Sequence, residues 1–575
     1  MNYVAYLILR RLRAPLITLI VIYSISVLGY VLIPGMDSAG NAYRMSFFEA
    51  FYFVSFMGST IGFGEIPYEF TALQRFWTLF CIYATVVGWI YSIGAVIAIL
   101  RDHTFIHLIQ RHRFRHRVDH LREPFYLVCG YGLTGSAVVA DLSRRGIQSV
   151  VVELRQNRID ALELDNLPFD IPSLCADASE PDVIQDAGVV QENCIGVLCL
   201  TDDDHVNLYI ALASKLLAPE RMVLSRVATR EYAGNLKSFN TDHVIDPFET
   251  FAEYLTNAVF SPYRQLAYNW LISPQHRSIQ SVVKPEKGRW IICGYGRLGK
   301  AIQRRFEQHG LETVIIEPDP EGQHVKEDYR VVKGLGTEAP TLLEAGIQNA
   351  VGIIAGTADD ANNLSIVLTA RDLKKNLMLV SRQNRHHNAP VFQAAKINMI
   401  MDPNMIIAQR IMVFIKTPLL IQFLEEIKHK DEDWCEKLVY RFDVLVRDNP
   451  LDSWALSITK STTPAIYEAL RHGRNVKVQH LSAHPQNRGV QLPSMALMVV
   501  RKGEAHVLPE EDFCLRIDDE ILFCGRSHVL NQMLWTVCNS NVLRYVISGH
   551  DEGGGYLWKR LFDKKKQSQD SGGRV

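Results

Sequence analysis

The chain has 575 residues and almost no excess charge: 61 Lys and Arg stand against 62 Asp and Glu, a net charge of −1. That balance excludes a global electrostatic attraction to nucleic acid. Its 10 cysteines never form a C-x-x-C pair. Cys129, Cys175, Cys194, Cys199 and Cys293 lie in or beside apolar runs, and they read as small core residues of a reducing compartment. Long uncharged apolar runs are also scarce. Ala14–Pro34 has 21 residues and Phe76–Leu100 has 25, each enough to cross a bilayer, which takes about 20. The next best stretch, Asn404–Leu424, is interrupted by Arg410, Lys416 and Pro418. Two spans exclude the many-span repeated halves of secondary transporters. No arginine-studded helix precedes the second span, which excludes the usual voltage sensor. No motif pairs a catalytic acid with a base, so no enzyme activity is expected.

The two runs carry an asymmetry of positive charge. Arg10, Arg11 and Arg13 precede the first, and Arg101, Arg111, Arg113, Arg115 and Arg117 follow the second, whereas the connecting segment has only Arg44 and Arg75. The expectation is a multi-pass protein of the cell membrane with both termini in the cytoplasm. The basic start also resembles a signal peptide, but Ile33-Pro34-Gly35-Met36 is a poor cleavage site, so a spanning anchor is expected.

Between the runs lies Thr60-Ile61-Gly62-Phe63-Gly64-Glu65. A dehydrated cation can be held by rings of backbone carbonyls supplied by four copies of one extended loop. Carbonyls that all face one axis require alternating ordinary and left-handed residues, and glycine takes the left-handed places without steric cost. Gly62 and Gly64 stand at every second position, with potassium expected at the carbonyls of Thr60, Ile61, Gly62 and Phe63. Ile61 and Phe63 would point away and wedge against a supporting helix. That helix is announced by Ser46 and Glu49, a capping box, and its C-terminal dipole end would face the cation. The stretch Phe48–Glu65 resembles the pore signature of tetrameric potassium channels, although Phe63 stands where Tyr is frequent and Glu65 where Asp is usual.

From Phe125 onward the sequence repeats. Phe125–Gly135 matches Arg289–Gly299 at an offset of 164, as does Val150–Glu153 with Val314–Glu317. Further on the offset becomes 156, linking Thr201–Asp204 with Thr357–Asp360, Asn207 with Asn363, Ser225-Arg226 with Ser381-Arg382, and Asp246-Pro247 with Asp402-Pro403. Each copy alternates apolar strand runs with amphipathic helices, the pattern of a parallel sheet covered on both faces. Each places G-x-G-x-x-G directly after a strand: Gly130, Gly132 and Gly135 in the first, Gly294, Gly296 and Gly299 in the second. An acidic residue follows 23 positions after the first glycine, Glu153 or Glu317, placed to accept from ribose hydroxyls. The expected ligand is NAD, NADH or an adenine nucleotide. After the third strand the first copy has Asp177 within Ala176-Asp177-Ala178-Ser179, while the second reads Gly334-Leu335-Gly336-Thr337. The second copy therefore lacks a carboxylate there, or its glycines make room for a different ligand. Asp202, Asp203 and Asp204 are clustered oxygen ligands, and a nucleotide-adjacent loop explains them as well as calcium does.

Two spans around T-I-G-F-G followed by such repeats resemble prokaryotic potassium channels gated by RCK (TrkA-N) domains, most closely the subgroup with two such domains in tandem, over about residues 14 to 530. The resemblance implies an α-helical two-span ion-channel pore plus α/β, with tandem Rossmann-like RCK domains and a small C-terminal α+β lobe. It implies a pore domain over 1–103 (spans 14–34 and 76–100, pore helix 46–57, filter 60–65), a linker over 104–122, a first RCK domain over 123–286, a second RCK N-lobe over 287–435, a C-lobe over 436–540 and a tail over 541–575. Each repeat would end in a crossover pair of helices, with turns at Ser261-Pro262 and Thr417-Pro418, that swaps between paired domains. It further implies a homotetramer in the lipid bilayer, with eight RCK domains in a cytoplasmic gating ring and no obligatory soluble RCK subunit. Gating would then come from ligand binding in the ring. The gate is expected around Ile97–Leu100, with Gly88 and Gly94 as hinges or as small residues for helix packing. The competing functions are an RCK-regulated cation transporter subunit and a membrane-anchored NAD-dependent oxidoreductase.

Overall fold

The computed structural model describes residues 3–65, 68–101, 103–239, 241–272, 285–446 and 449–549. It divides into two compact units, Met1–Leu121 with Asp186–Gly188, and the remainder.

In the first unit, two helices are long and apolar enough to cross a membrane, with spans at Leu12–Leu32 and Ala72–Ala98. The first helix covers Tyr3–Leu32. It starts earlier than the uncharged run and stops before Pro34, because Ile33, Pro34 and Gly35 leave the helix. The second covers Ala72–Leu100. Between them stands the short helix Phe47–Gly58, capped reciprocally by Ser46 and Glu49. Ala50, Phe53, Val54 and Phe56 of this helix pack with Val27, Tyr30 and Cys81 of the long helices. Close helix approach is built from small residues. A Cβ on Gly29 would meet the Trp77 ring at 2.1 Å, and one on Gly88 would meet Ile22 Cδ1 at 2.7 Å. The expected linker is itself helical over His103–Asp119.

The second unit contains two six-stranded, all-parallel sheets, each with strand order 3-2-1-4-5-6 counted along its own repeat. The first uses Phe125–Cys129, Gln148–Glu153, Ser173–Cys175, Cys194–Cys199, Met222–Arg226 and His243–Ile245. The second uses Arg289–Cys293, Thr313–Glu317, Val331–Lys333, Ala350–Ala355, Met378–Arg382 and Met399–Met401. The central strands are buried on both faces, as parallel sheets require. The repeat holds to atomic detail. Asn207 Oδ1 accepts from Thr201 N at 3.0 Å and from Thr201 Oγ1 at 2.7 Å. Asn363 does the same for Thr357 at 2.9 and 2.7 Å.

The crossover helices exchange partners within the chain. Pro247–Phe260, which follows the first sheet, buries Phe248, Phe251 and Leu255 against Trp290, Ile302 and Phe306 of the second repeat. Pro403–Lys416, which follows the second sheet, buries Ile407, Ile411 and Phe414 against Val138, Val139 and Leu142 of the first. The stretch Asn404–Leu424 is therefore a buried pair of helices bent by 111° at Thr417, where Pro418 cannot continue the preceding helix.

The C-terminal lobe is a four-stranded antiparallel sheet, ordered Leu451–Ser457, Glu520–Arg526, Ser494–Arg501, Glu504–Val507. Its boundaries differ from the expected 436 and 540. A single helix runs through Glu432–Val446, because Cys435, Leu438, Val439 and Phe442 form one buried stripe. At the other end the helix Ser540–Ser548 buries Leu543 and Val546, so the lobe extends to that helix. The polar stretch 564–575 lies outside the described residues.

Candidate functional site: a filter loop and two dinucleotide clefts

The loop after Phe47–Gly58 has positive φ at Thr60 (61°), Gly62 (65°) and Gly64 (74°). The alternation expected for the two glycines thus begins one step earlier, at a threonine. Its start is pinned by the supporting helix: the Ile61 and Gly62 N–H groups both donate to Phe56 O, at 3.1 and 3.3 Å, and Thr60 N–H donates to Met57 O at 3.1 Å. Phe63 lies edge-on to Phe56, centroids 6.3 Å apart, and Tyr52 OH donates to Glu65 at 3.0 Å. Ile61 is 61% exposed, so its side chain is not buried against the supporting helix in this chain. Of the two hinge candidates, Gly88 is a contact glycine under Ile22, while a Cβ on Gly94 would meet nothing within 4 Å. Ile97 is exposed on the second helix. Leu100 ends that helix.

The first cleft opens where strand Phe125–Cys129 meets helix Leu133–Arg144. Gly130 has φ +103°, and a Cβ on Gly135 would sit 2.0 Å from Gly130 O, so helix and strand meet only because Gly135 has no side chain. Glu153, nearly buried, does not project freely. Its Oε2 accepts from Tyr131 N–H at 2.6 Å and its Oε1 from Arg155 N–H at 3.0 Å. Arg158 lies across the mouth. Its Nη1 is 3.3 Å from Glu153 and its Nη2 3.5 Å from Asp202, and a Cβ on Gly132 would meet Nη1 at 3.2 Å. Arg226 also pairs with Asp202, at 2.8 Å. Burial alone would raise the Asp202 carboxyl, but Arg226 and Arg158 hold it below the ordinary range. The cations of this cleft are therefore paired with carboxylates. Asp177 turns back on its own loop, accepting from Ser179 N–H at 2.8 Å.

The three consecutive aspartates do not converge on one point. Asp202 faces the arginines, Asp203 caps the next helix through His205 and Val206 N–H, and Asp204 accepts from Ala228 and Thr229. Each carboxylate serves a different protein donor, and among the described residues no grouping of metal-ligating side chains occurs.

The second cleft has the same backbone and a different charge balance. Gly294 has φ +91° and a Cβ on Gly299 would lie 2.2 Å from Gly294 O, whereas one on Gly296 would meet nothing within 4 Å. Glu317 Oε2 accepts from Tyr295 N–H at 2.6 Å. Leu335 takes the place of Asp177. The flanking glycines do not widen the cleft: Gly336 has φ +76°, and a Cβ there would be 2.9 Å from Cys293 Sγ. Two arginines converge on one ring. Arg297 lies 4.8 Å and Arg382 5.0 Å from the centroid of Phe248. Among the described residues no carboxylate forms an ion pair with either. Arg382 Nε is buried without a hydrogen-bond partner. Burial pushes this guanidinium down to about 10, the Arg297 charge adds to that, and Asp360 opposes it. Sequence reasoning missed this cluster. Arg297 is visible inside G-Y-G-R-L-G, but the ring that gathers the arginines comes from the crossover helix of the other repeat.

Burial raises the thiols of the strands that bear the two turns. Burial pushes Cys129 up to about 12 and Cys194 to about 11, and raises Cys199 and Cys293 as well.

A family model for the TrkA-N domain matches residues 126–247 and 290–403, the two parallel sheets with their glycine-rich turns. Probable potassium channel protein 2 of Methanocaldococcus jannaschii is 26% identical over 212 residues, 36% of this chain and 58% of that protein. Potassium channel protein 1 of the same organism is 27% identical over 161 residues, 27% of this chain and 48% of that protein. The chain thus spans about half the length of these relatives. Among solved structures, the GsuK channel aligns with 96% of this chain and 100% of its own at 16% identity and a TM-score of 0.46. The GsuK channel bound to NAD aligns with 93% and 100% at 16% identity and a TM-score of 0.45.

Proposed function

We propose that this chain, a carrier of two TrkA-N domains, is one subunit of a potassium-selective channel opened or closed by nucleotides. The observation that carries the reading is the loop at Thr60–Gly64. It hangs from the C-terminus of a capped helix between two apolar helices and alternates the sign of φ at Thr60, Gly62 and Gly64. Irregular backbone between spans is tolerated where it lines a water-filled path. Alternation of this kind is what turns successive carbonyls to one side, where they can replace the water of a permeating ion when four loops surround an axis. The assembly proposed is a homotetramer in the cell membrane with both termini in the cytoplasm. Its eight TrkA-N domains form the ring, so no soluble copy is required.

The two clefts are read as regulatory rather than catalytic. Each offers a glycine turn to phosphate and, at the end of the second strand, a carboxylate that already accepts a backbone N–H, Glu153 from Tyr131 and Glu317 from Tyr295. Adenine nucleotides and nicotinamide dinucleotides fit the first cleft, with Glu153 toward the ribose and Gly132 beneath the pyrophosphate. In the second, the paired guanidiniums of Arg297 and Arg382 favour a ligand with a terminal phosphate, such as a nucleoside diphosphate. A ligand moves the gate only through its differential affinity for two arrangements of the ring. The swapped crossover helices supply a route, since the helix that follows each glycine turn packs against the crossover helix of the other repeat.

The test is flux from vesicles containing the purified full-length protein, with NAD, NADH, ATP, ADP or calcium added to the cytoplasmic face. Potassium flux exceeding sodium flux, altered by at least one nucleotide, is the expected result. Equal passage of sodium and potassium overturns the pore reading, and indifference to every nucleotide overturns the gating reading.

A further inference from the structure

One cavity in the second unit belongs to neither nucleotide cleft. It lies between the two crossover pairs, with a volume of about 390 Å³, and is lined by helix Pro247–Phe260, helix Pro262–Ile272, helix Pro403–Lys416 and helix Pro418–Ile427. That volume is within the range of small-molecule sites, roughly 300–1,000 Å³. The lining is mainly apolar, with Phe251, Tyr254 and Tyr268 among its walls.

Its charges are unevenly satisfied. Glu253 is held by Lys428 at 3.0 Å and by Arg305 at 3.6 Å, and Glu425 by the same Lys428 at 2.9 Å. Burial would raise the Glu253 carboxyl, but Lys428, Arg305 and Arg410 keep it below the usual range. Both carboxylates are thus committed to cations. Two guanidiniums on the wall are not matched in the same way. Arg410 forms no ion pair among the described residues and makes one long hydrogen bond, 3.4 Å, to Tyr268 OH. Arg264 donates Nη2 to Lys430 O at 2.7 Å and also hydrogen-bonds the Cys435 thiol, while its Nε is buried without a partner. An apolar chamber with fork-shaped donors to spare is complementary to an anion carrying an apolar body.

We propose that this cavity is a separate ligand site, taking a small organic anion such as an aromatic carboxylate. Because the helices around it pack on opposite repeats, an occupant there favours one arrangement of the two TrkA-N domains over others. That consequence for gating rests on the proposed channel function; binding itself does not.

The experiment photolabels the full-length protein with 4-benzoylbenzoate and maps the labelled peptides by mass spectrometry, with and without excess ADP and NAD. Saturable labelling within residues 250–272 and 398–428, unaffected by either nucleotide, is expected. In Arg410→Gln it falls about tenfold or more, the effect of losing a charge-assisted hydrogen bond, and in Arg410→Lys it is largely kept. Non-photoreactive 2-naphthoate competes with the label, a check on wild-type protein that needs no variant. Labelling confined to other segments, displacement by nucleotide, persistence in Arg410→Gln or indifference to 2-naphthoate overturns the proposal. Nucleotide-dependent potassium flux is scored separately, so loss of the channel reading and loss of this site are distinct results.

Discussion

Arg382 offers the sharpest test of the second cleft, because its role in stability and its role in binding have opposite signs. Its guanidinium is mostly buried, shares the Phe248 ring with Arg297, and has no ion-pair partner among the described residues. Burial and the neighbouring cation bring it to about 10. A depression of that size corresponds to a cost of roughly 3 kcal/mol for holding the charge in place, reduced to roughly 1–3 kcal/mol by its partial exposure. Arg382→Met keeps the apolar stem and removes the charge, so the ligand-free protein is expected to become more stable by that amount. The same change removes a charge-assisted hydrogen bond to a terminal phosphate, worth roughly 1.5–3 kcal/mol, or about 10- to 150-fold in affinity. Denaturant unfolding of the full-length protein gives the first quantity. Calorimetric titration with ADP and with adenosine gives the second: one ADP site weakens, and adenosine binding is unchanged. A variant that is less stable than the parent and binds ADP at both sites as before would refute the reasoning.

Other outcomes follow from the same geometry. Gly296→Ala meets nothing within 4 Å and is expected to leave the melting temperature unchanged while blocking close approach of a pyrophosphate. Gly299→Ala, with its Cβ 2.2 Å from Gly294 O, is expected to lower the melting temperature and binding together. Gly64→Ala forces an L-residue to a φ of +74°, a strain of roughly 1–2 kcal/mol. The potassium-over-sodium ratio in vesicle flux should collapse. His243 stacks on Phe414 of the swapped helix, centroids 3.8 Å apart. Burial lowers its affinity for protons, with Asp242 opposing and Arg410 adding to the effect. Its folded pKa is thus below its unfolded value, so its contribution is complete above about 6.5 and is lost as pH falls from there through the folded value. Hydrogen exchange in Pro403–Lys416 should accelerate on acidification, and His243→Phe should remove that dependence.

Much of the architecture was legible in local pattern. The two uncharged runs, the Ser46–Glu49 capping box and the strand–glycine–helix turns all express short-range rules of hydrophobic period, end-capping and backbone sterics. These rules act within about a dozen residues, and the structure follows them: the caps form and the glycine turns take positive φ. The places where expectation and structure part are places where distant segments meet. The acidic run Asp202–Asp204 looks like one cluster in sequence, but helix capping, a loop and two arginines draw its carboxylates apart. The glycines at 334 and 336 look like room for a ligand, but one of them is pressed onto Cys293. The lobe boundaries at 436 and 540, implied by the resemblance, fall inside the helices Glu432–Val446 and Ser540–Ser548, whose buried stripes run across them.

The sequence alone determined the period of each element, the positions where only glycine fits, and the duplication that makes two clefts from one plan. Tertiary structure decided what each cleft carries. The repeat pattern contains no information on which crossover helix covers which sheet, since both have the same apolar face. Only packing assigns Phe248 to the second repeat and Asn404 to the first, where Thr134 donates to it at 3.0 Å. That exchange leaves one cleft with cations paired to carboxylates and the other with two arginines that form no ion pair among the described residues. The physical reason is that charge balance depends on distances between residues far apart in the chain, which burial of apolar surface fixes and local propensity does not.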